Sequence, residues 1–307
     1  MNVAFKQSVG PPQSLDAIAE ALLLPTGVDG VYARTALFEQ AATGLTTLIS
    51  RYREPDTEVL RLPPVMSRRQ LQQSGYLESF PHLLGCVSCV AGDEAQIRAS
   101  VARCQAGDDW TGALAAADLV LSPAACYPVY PLIASRGQLP AAGLKFDVAC
   151  DCFRREPSQL LDRLQSFRMR EYVCVGTPEQ VADFRARWMK RAAAIAGQLG
   201  LACRIEPASD PFFGRGGKLL AKSQIEQALK FELVVPLHSA GAPTACVSFN
   251  DHRDHFGAAW NLRTAAGAVA HSGCVAFGID RLALALFASH GVELARWPTR
   301  VRQALRV

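Results

Sequence analysis

The sequence predicts a single α/β domain of the α+β kind, a mostly antiparallel sheet flanked by helices, on three observations. Residues 144–153 and 167–175 read as the two strands of one hairpin: the first run is apolar and small, the second alternates, and a polar, charged tip joins them. Two stretches, 14–50 and 177–199, carry apolar residues at helical spacing. Two further apolar runs, 230–236 and 244–250, have strand length and sit between turn-forming residues. At 307 residues, half of them hydrophobic, the chain is long enough to bury a sizeable core.

The elements follow in order. Leu15, Ile18, Ala19 and Leu22 mark a first helix; after a Gly/Pro break, Leu37, Ala41, Leu45, Leu48 and Ile49 mark a second. Residues 58–62 read as a strand stopped by Pro63-Pro64, and 66–73 as a short helix stopped by Ser74-Gly75. Cys86 and Cys89 have metal-site spacing, but no second pair follows at zinc-ribbon distance, so they read as incidental. Residues 93–117 read as helix, Ala-rich at the end, and 119–121 as a strand. Thr177-Pro-Glu-Gln180 is a capping box with proline at the first helical position, and Gly200 ends that helix. Residues 201–206 read as a strand. Residues 210–227 begin as a Gly-rich loop and become a short basic helix; the Gly-Lys-Ser/Thr ending of a P-loop is absent. Past residue 250, His252 and His255 stand three apart in a loop-like polar run without the glutamate of a zincin helix, so no metal site is expected there. Residues 279–288 read as an apolar closing helix with Gly291 as its stop. The sequence contains no internal repeat and no low-complexity segment.

Bulk properties narrow the function. The net charge of +4 is too mild to demand nucleic acid. No apolar run reaches the ~18 residues of a membrane span, and residues 1–8 lack the apolar centre of a signal peptide. Ten unevenly spread cysteines point to a reduced, cytoplasmic setting. The chemistry concentrates on the hairpin. With a period of two, Arg154 and Glu156 share one face and Phe167, Met169 and Glu171 share another. Arginine for phosphate, an aromatic for a base and a carboxylate for an amine suit a nucleotide; the plainer alternative is a surface hairpin with solvated charges.

These residues resemble a known family. Phe153-Arg154-x-Glu156, followed by Arg163, Phe167 and Glu171 at steps of four, is similar to motif 2 of class II aminoacyl-tRNA synthetases, seryl branch. Gly273 to Arg281 with its apolar helix resembles motif 3 (about 273–290), and Leu60 to Pro64 the motif 1 proline element (about 40–64). The resemblance covers roughly residues 40 to 290 and implies a class II catalytic fold, an isologous homodimer and formation of an aminoacyl-adenylate. It implies ATP held by Arg154, Glu156, Arg163, Phe167 and Arg281, with Arg154, Glu156 and Arg281 at the reacting centre. It also implies Mg²⁺ carried by Glu232, although Lys230 stands where the family has Asp, and a substrate strand at Ser248 and Asn250.

Two departures refine this expectation. Ala124-Ala125-Cys126 replaces the Thr-x-Glu element that reads serine, so Ala124 implies a small amino acid, glycine or alanine. Cys126, Glu171 and Cys274 match the zinc ligands of methanogen-type seryl-tRNA synthetases. Only about fifty residues precede the motif 1 strand, without the heptads of a tRNA-gripping arm. Together these resemble the amino acid:carrier-protein ligases, truncated seryl-synthetase homologues that load the phosphopantetheine thiol of an acyl-carrier-like protein. In that reading Arg215, Lys218 and Lys222 form the docking surface and tRNA is not the acceptor. The alternatives are an atypical seryl-type tRNA synthetase and a catalytically inactive regulatory paralogue, the latter opposed by the intact Arg154, Glu156 and Arg281.

Overall fold

The computed structural model of the chain describes residues 15–237 and 242–307; residues 1–8, read above as lacking a signal-peptide centre, lie outside the described residues. Helix α1 (Leu15–Leu22) leads into a small hairpin, β1 (Leu23–Val28) and β2 (Val31–Arg34), then α2 (Ala36–Ser50), β3 (Glu58–Arg61), β4 (Val65–Ser67), α3 (Arg68–Gln73) and α4 (Tyr76–Ser79). There follow β5 (Cys86–Val90), α5 (Glu94–Gln105), β6 (Leu114–Leu121), α6 (Val129–Ala134), the long hairpin β7 (Leu144–Phe153) and β8 (Ser166–Gly176), and α7 (Pro178–Gln198). The last third holds β9 (Arg204–Pro207), α8 (Gly214–Glu226), β10 (Lys230–Val235), β11 (Thr244–Arg253), α9 (His255–Ala259), β12 (His271–Gly278), α10 (Ile279–His290) and α11 (Thr299–Leu305).

A seven-stranded sheet with the order β3-β7-β8-β12-β11-β10-β9 forms the centre. Only β3 runs parallel to its neighbour; every other pair is antiparallel. One face carries α2, α7 and α10, whose apolar stripes (Leu45, Trp188 and Leu284 among them) form the larger core. The other face packs against α6 and α9 through Val129, Tyr130, Ile133 and Phe256, and leaves a cavity between them. Because side chains alternate along a strand, β8 serves both layers: Tyr172 belongs to the helical core, while Met169 and Glu171 face the cavity side.

The expected hairpin, the capped α7 and the closing α10 are present. Both bonds of the Thr177/Gln180 capping box form, and Gly200 adopts a left-handed φ of 66° just beyond the helix. Three readings need correction. The stretch 93–117 is helix only to Gln105; Leu114 onward is the central strand of a three-stranded sheet, β4-β6-β5. The helical propensity of its alanines yields to pairing on both edges. The break between the first two helices is a hairpin, unread because its turn at Asp29-Gly30 lies in short, weakly patterned strands. Residues 66 and 67 belong to β4, with Ser67 capping α3.

Candidate active site

Strand register builds the site. Across β8, β12, β11 and β10, Glu171 pairs with Ala276, Ala276 with Ser248, and Ser248 with Glu232. The next row runs from Val173 to Cys274, Asn250 and Lys230. Residues paired across strands share a face, so two short rows bring Glu171, Cys274, Ser248, Asn250, Glu232 and Lys230 to one surface. That surface is the floor of a cavity of about 490 Å³, a size typical of small-molecule sites. Cys126, from the turn after β6, closes over Glu171: its backbone N–H donates to Glu171 Oε1 at 3.0 Å.

Cys126, Glu171 and Cys274 are all buried, and their ligand atoms lie within 4.8 Å of one another. Its bond with the Cys274 thiol and its burial push the Cys126 thiol well up. Cys126 in turn pulls Cys274 down, but burial and Glu171 outweigh it and the net shift is upward. A divalent ion would reverse that balance, because it stabilises the anions that burial disfavours. Asn250 Nδ2 donates to Cys274 Sγ at 3.3 Å and to Ser248 Oγ at 3.2 Å. Ala124 is buried in the cavity wall beside Cys126.

The nucleotide candidates Arg154, Glu156, Phe167, Glu232 and Arg281 line the same cavity, and Arg163 lies outside its lining. Arg154 Nε donates to Pro123 O at 3.0 Å, and its guanidinium lies 5.5 Å from the centre of the Phe167 ring. Hairpin register explains this, since Cys152 pairs with Phe167 and Arg154 follows two residues on. Arg281, in the first turn of α10, donates from Nε to Asp162 O at 2.8 Å and from Nη1 to Ala245 O at 3.1 Å. Arg163 is exposed and 3.4 Å from Glu156, so the two close on each other. Glu232 lies 3.0 Å from Lys230 Nζ, which also binds Asp210 at 2.5 Å. Burial alone would depress the Lys230 ammonium; Asp210 and Glu232 outweigh it and hold the pKa above its ordinary value.

Tyr76 is not singled out in the sequence, and His252 reads there as a loop residue without a metal role. The Tyr76 hydroxyl is buried in the cavity wall without a hydrogen-bond partner among the described residues, and burial pushes its pKa to about 12. His252, placed in a loop by the sequence, belongs to β11 and reaches the Cys274 sulfur. The docking candidates sit apart from the floor. Arg215, Lys218 and Lys222 are exposed on α8, beside Leu219 and Leu220 at 72% and 52% exposure. The glycines expected to form a loop lie instead within the first turn of α8. Gly217 packs so closely that a Cβ there would come within 2.4 Å of Phe212 O.

This fold is the catalytic fold of class II aminoacyl-tRNA synthetases. The chain is similar to the synthetase in a crystal structure of A. aeolicus tRNASec in complex with M. kandleri SerRS, with a TM-score of 0.81, 18% identity, and coverage of 98% of this chain but 64% of that one. Two curated relatives come from Bradyrhizobium diazoefficiens. Amino acid–[acyl-carrier-protein] ligase 1 is 62% identical over 95% of this chain and 89% of its own length. Amino acid–[acyl-carrier-protein] ligase 2 is 59% identical over 99% and 93%. The chain therefore belongs to the amino acid–[acyl-carrier-protein] ligase family. No model of a known protein family matches it. Among the described residues no helix is long and apolar enough to cross a membrane.

Proposed function

We propose that the chain activates a small amino acid, glycine or alanine, with ATP and passes the aminoacyl group to the phosphopantetheine thiol of an acyl-carrier-like protein. One observation carries this reading: a buried Cys–Glu–Cys cluster and the pair Arg154 and Arg281 line the same cavity, in a member of a ligase family. Two thiolates and a carboxylate suit zinc, and three protein ligands leave one position open. Cys126, Glu171 and Cys274 would hold the ion, which when bound supplies Lewis acidity toward a neutral amine.

The chain's own residues position and neutralise. Arg154 holds the substrate carboxylate and the α-phosphate together. A carboxylate oxygen attacks the α-phosphorus, and the bond to pyrophosphate breaks. Phe167 stacks on adenine, Glu156 accepts from its amine, and Arg163 folds over the nucleotide. Arg281 binds the γ-phosphate. Glu232 would hold magnesium, which when bound supplies positive charge to the phosphates, and the Lys230 ammonium beside it is a fixed positive charge. Ala124, Ser248 and Asn250 bound the space for the side chain, where one extra methylene weighs about 1–3 kcal/mol. The pantetheine sulfur then attacks the adenylate carbonyl and AMP leaves.

The acceptor arrives over α8, whose basic residues face an acidic carrier bundle and whose Leu219 and Leu220 offer an apolar centre. The protein acts as an isologous homodimer in the cytoplasm, joined through α2 and the open edge of β3, and tRNA is not its acceptor. Amino-acid-dependent pyrophosphate–ATP exchange over a panel of amino acids tests the reading. Exchange with glycine or alanine is expected; exchange with none would overturn it.

A further inference from the structure

His252 belongs to none of the roles above, yet the fold holds it from several sides. It is the extra residue of a bulge in β11: Asp251 pairs with Gly273 and Arg253 with Ser272, leaving His252 unpaired between them. Arg253 beside it has a φ of 51°, a left-handed conformation that a residue with a side chain adopts at a cost. Bulges near active sites commonly re-aim a side chain, and this one turns the ring toward the cysteine cluster. Nδ1 lies 3.2 Å from Tyr130 Oη and 3.2 Å from Ser272 Oγ. Nε2 lies 3.6 Å from Cys274 Sγ. The Phe256 ring meets the imidazole edge-on at 5.0 Å and 90°, and Tyr130 stacks on Phe256 at 3.9 Å.

Two hydroxyls, those of Tyr130 and Ser272, converge on Nδ1. Tyr130 is wholly buried, and its hydroxyl meets both His252 Nδ1 and the Ser272 hydroxyl. When either hydroxyl donates to Nδ1, the proton sits on Nε2, the nitrogen that faces the Cys274 sulfur. We infer that His252 is a positioning residue for the metal centre: its Nε2–H, with Asn250 Nδ2, donates to the Cys274 thiolate and sets where that sulfur presents its charge. The inference rests on the zinc reading above and adds an outer layer to it. Outer partners of metal ligands fix ligand orientation and commonly change metal affinity by ~10–100-fold when lost.

Two substitutions separate this role from mere packing. In His252→Gln the side-chain amide reaches the position of Nε2; in His252→Asn it reaches only that of Nδ1, so the hydroxyl bonds survive and the sulfur contact is lost. The test uses full-length protein loaded with zinc, competed against a chelator, and with cobalt(II), whose thiolate charge-transfer band reports on the sulfur. His252→Asn should bind zinc ~10–100-fold more weakly and move the band to lower energy, because a thiolate without a donor gives up its electron more readily. His252→Gln should restore both toward wild type. Wild-type affinity and an unmoved band in His252→Asn would overturn the inference alone. So would cobalt ligand-field bands that change in both variants, the mark of His252 as a ligand. Wild-type protein that takes up no zinc would overturn the metal reading and this inference with it.

Discussion

Arg154 leaves the end of β7 with Nε fixed by Pro123 O and its plane over Phe167, an arrangement that presets a guanidinium for an anion. Removing a charge-assisted contact at a reacting centre costs about 3–4 kcal/mol, by analogy with an oxyanion donor. Arg154→Ala, and likewise Arg281→Ala, should reduce pyrophosphate exchange ~10²–10³-fold with an unchanged circular dichroism spectrum; wild-type exchange in both would remove this pocket as the site. The cluster makes a separate prediction. The purified chain should carry about one zinc, as expected of a three-ligand site, and Cys126→Ser, Glu171→Ala and Cys274→Ser should each lose metal and activation together. Elemental analysis that finds no zinc in active protein would contradict it. That these three residues meet was legible because each sits at a position where a family pattern points inward. His252 was not: the alternation of Ser248 and Asn250 disappears in the polar run 251–255, and a bulge shifts the phase that pattern reading depends on.

At the scale of elements, α8 shows what composition hides. Its glycines suggested a flexible loop, but Asp210 ties the helix down: its N–H and carboxylate both pair with Gln224, at 2.7 and 2.8 Å, and its carboxylate also binds Lys230. The exposed side then offers a fixed basic, apolar surface. Reversing charge at Lys218 and Lys222 should leave pyrophosphate exchange untouched and slow transfer to the carrier, most at low salt, where exposed charges are least screened. Equal transfer rates across ionic strength would rule this surface out. The three-stranded sheet teaches the opposite lesson. Leu114 to Asp118 has helical composition, and only β4 and β5, distant in sequence, make it a strand. The β7–β8 hairpin was readable because its two halves are adjacent and its alternation is local.

Across the whole molecule, Asp147 joins the sheet to α2. Its carboxylate binds the buried Arg170 at 2.5 and 2.8 Å, with Arg53 and Arg61 nearby, and Arg170 also donates to Thr46 O in α2. Burial would raise the Asp147 pKa, but Arg170, then Arg61 and Arg53, outweigh it and hold it below the ordinary 3.8. A depressed carboxyl stabilises the fold above its unfolded pKa and loses that contribution as pH falls through the folded value, so this share of stability is complete at neutral pH and disappears in acid. Asp147→Asn strands a buried guanidinium and should cost about 3–5 kcal/mol at neutral pH, read from the urea midpoint at unchanged slope; an unshifted midpoint would contradict that. The central claim concerns the acceptor, and one assay addresses it directly. Enzyme, ATP and labelled glycine or alanine are offered holo-carrier protein and total tRNA together. The label should appear as a thioester on the pantetheine arm and not on tRNA; label on tRNA with none on any pantetheinylated carrier would contradict the account.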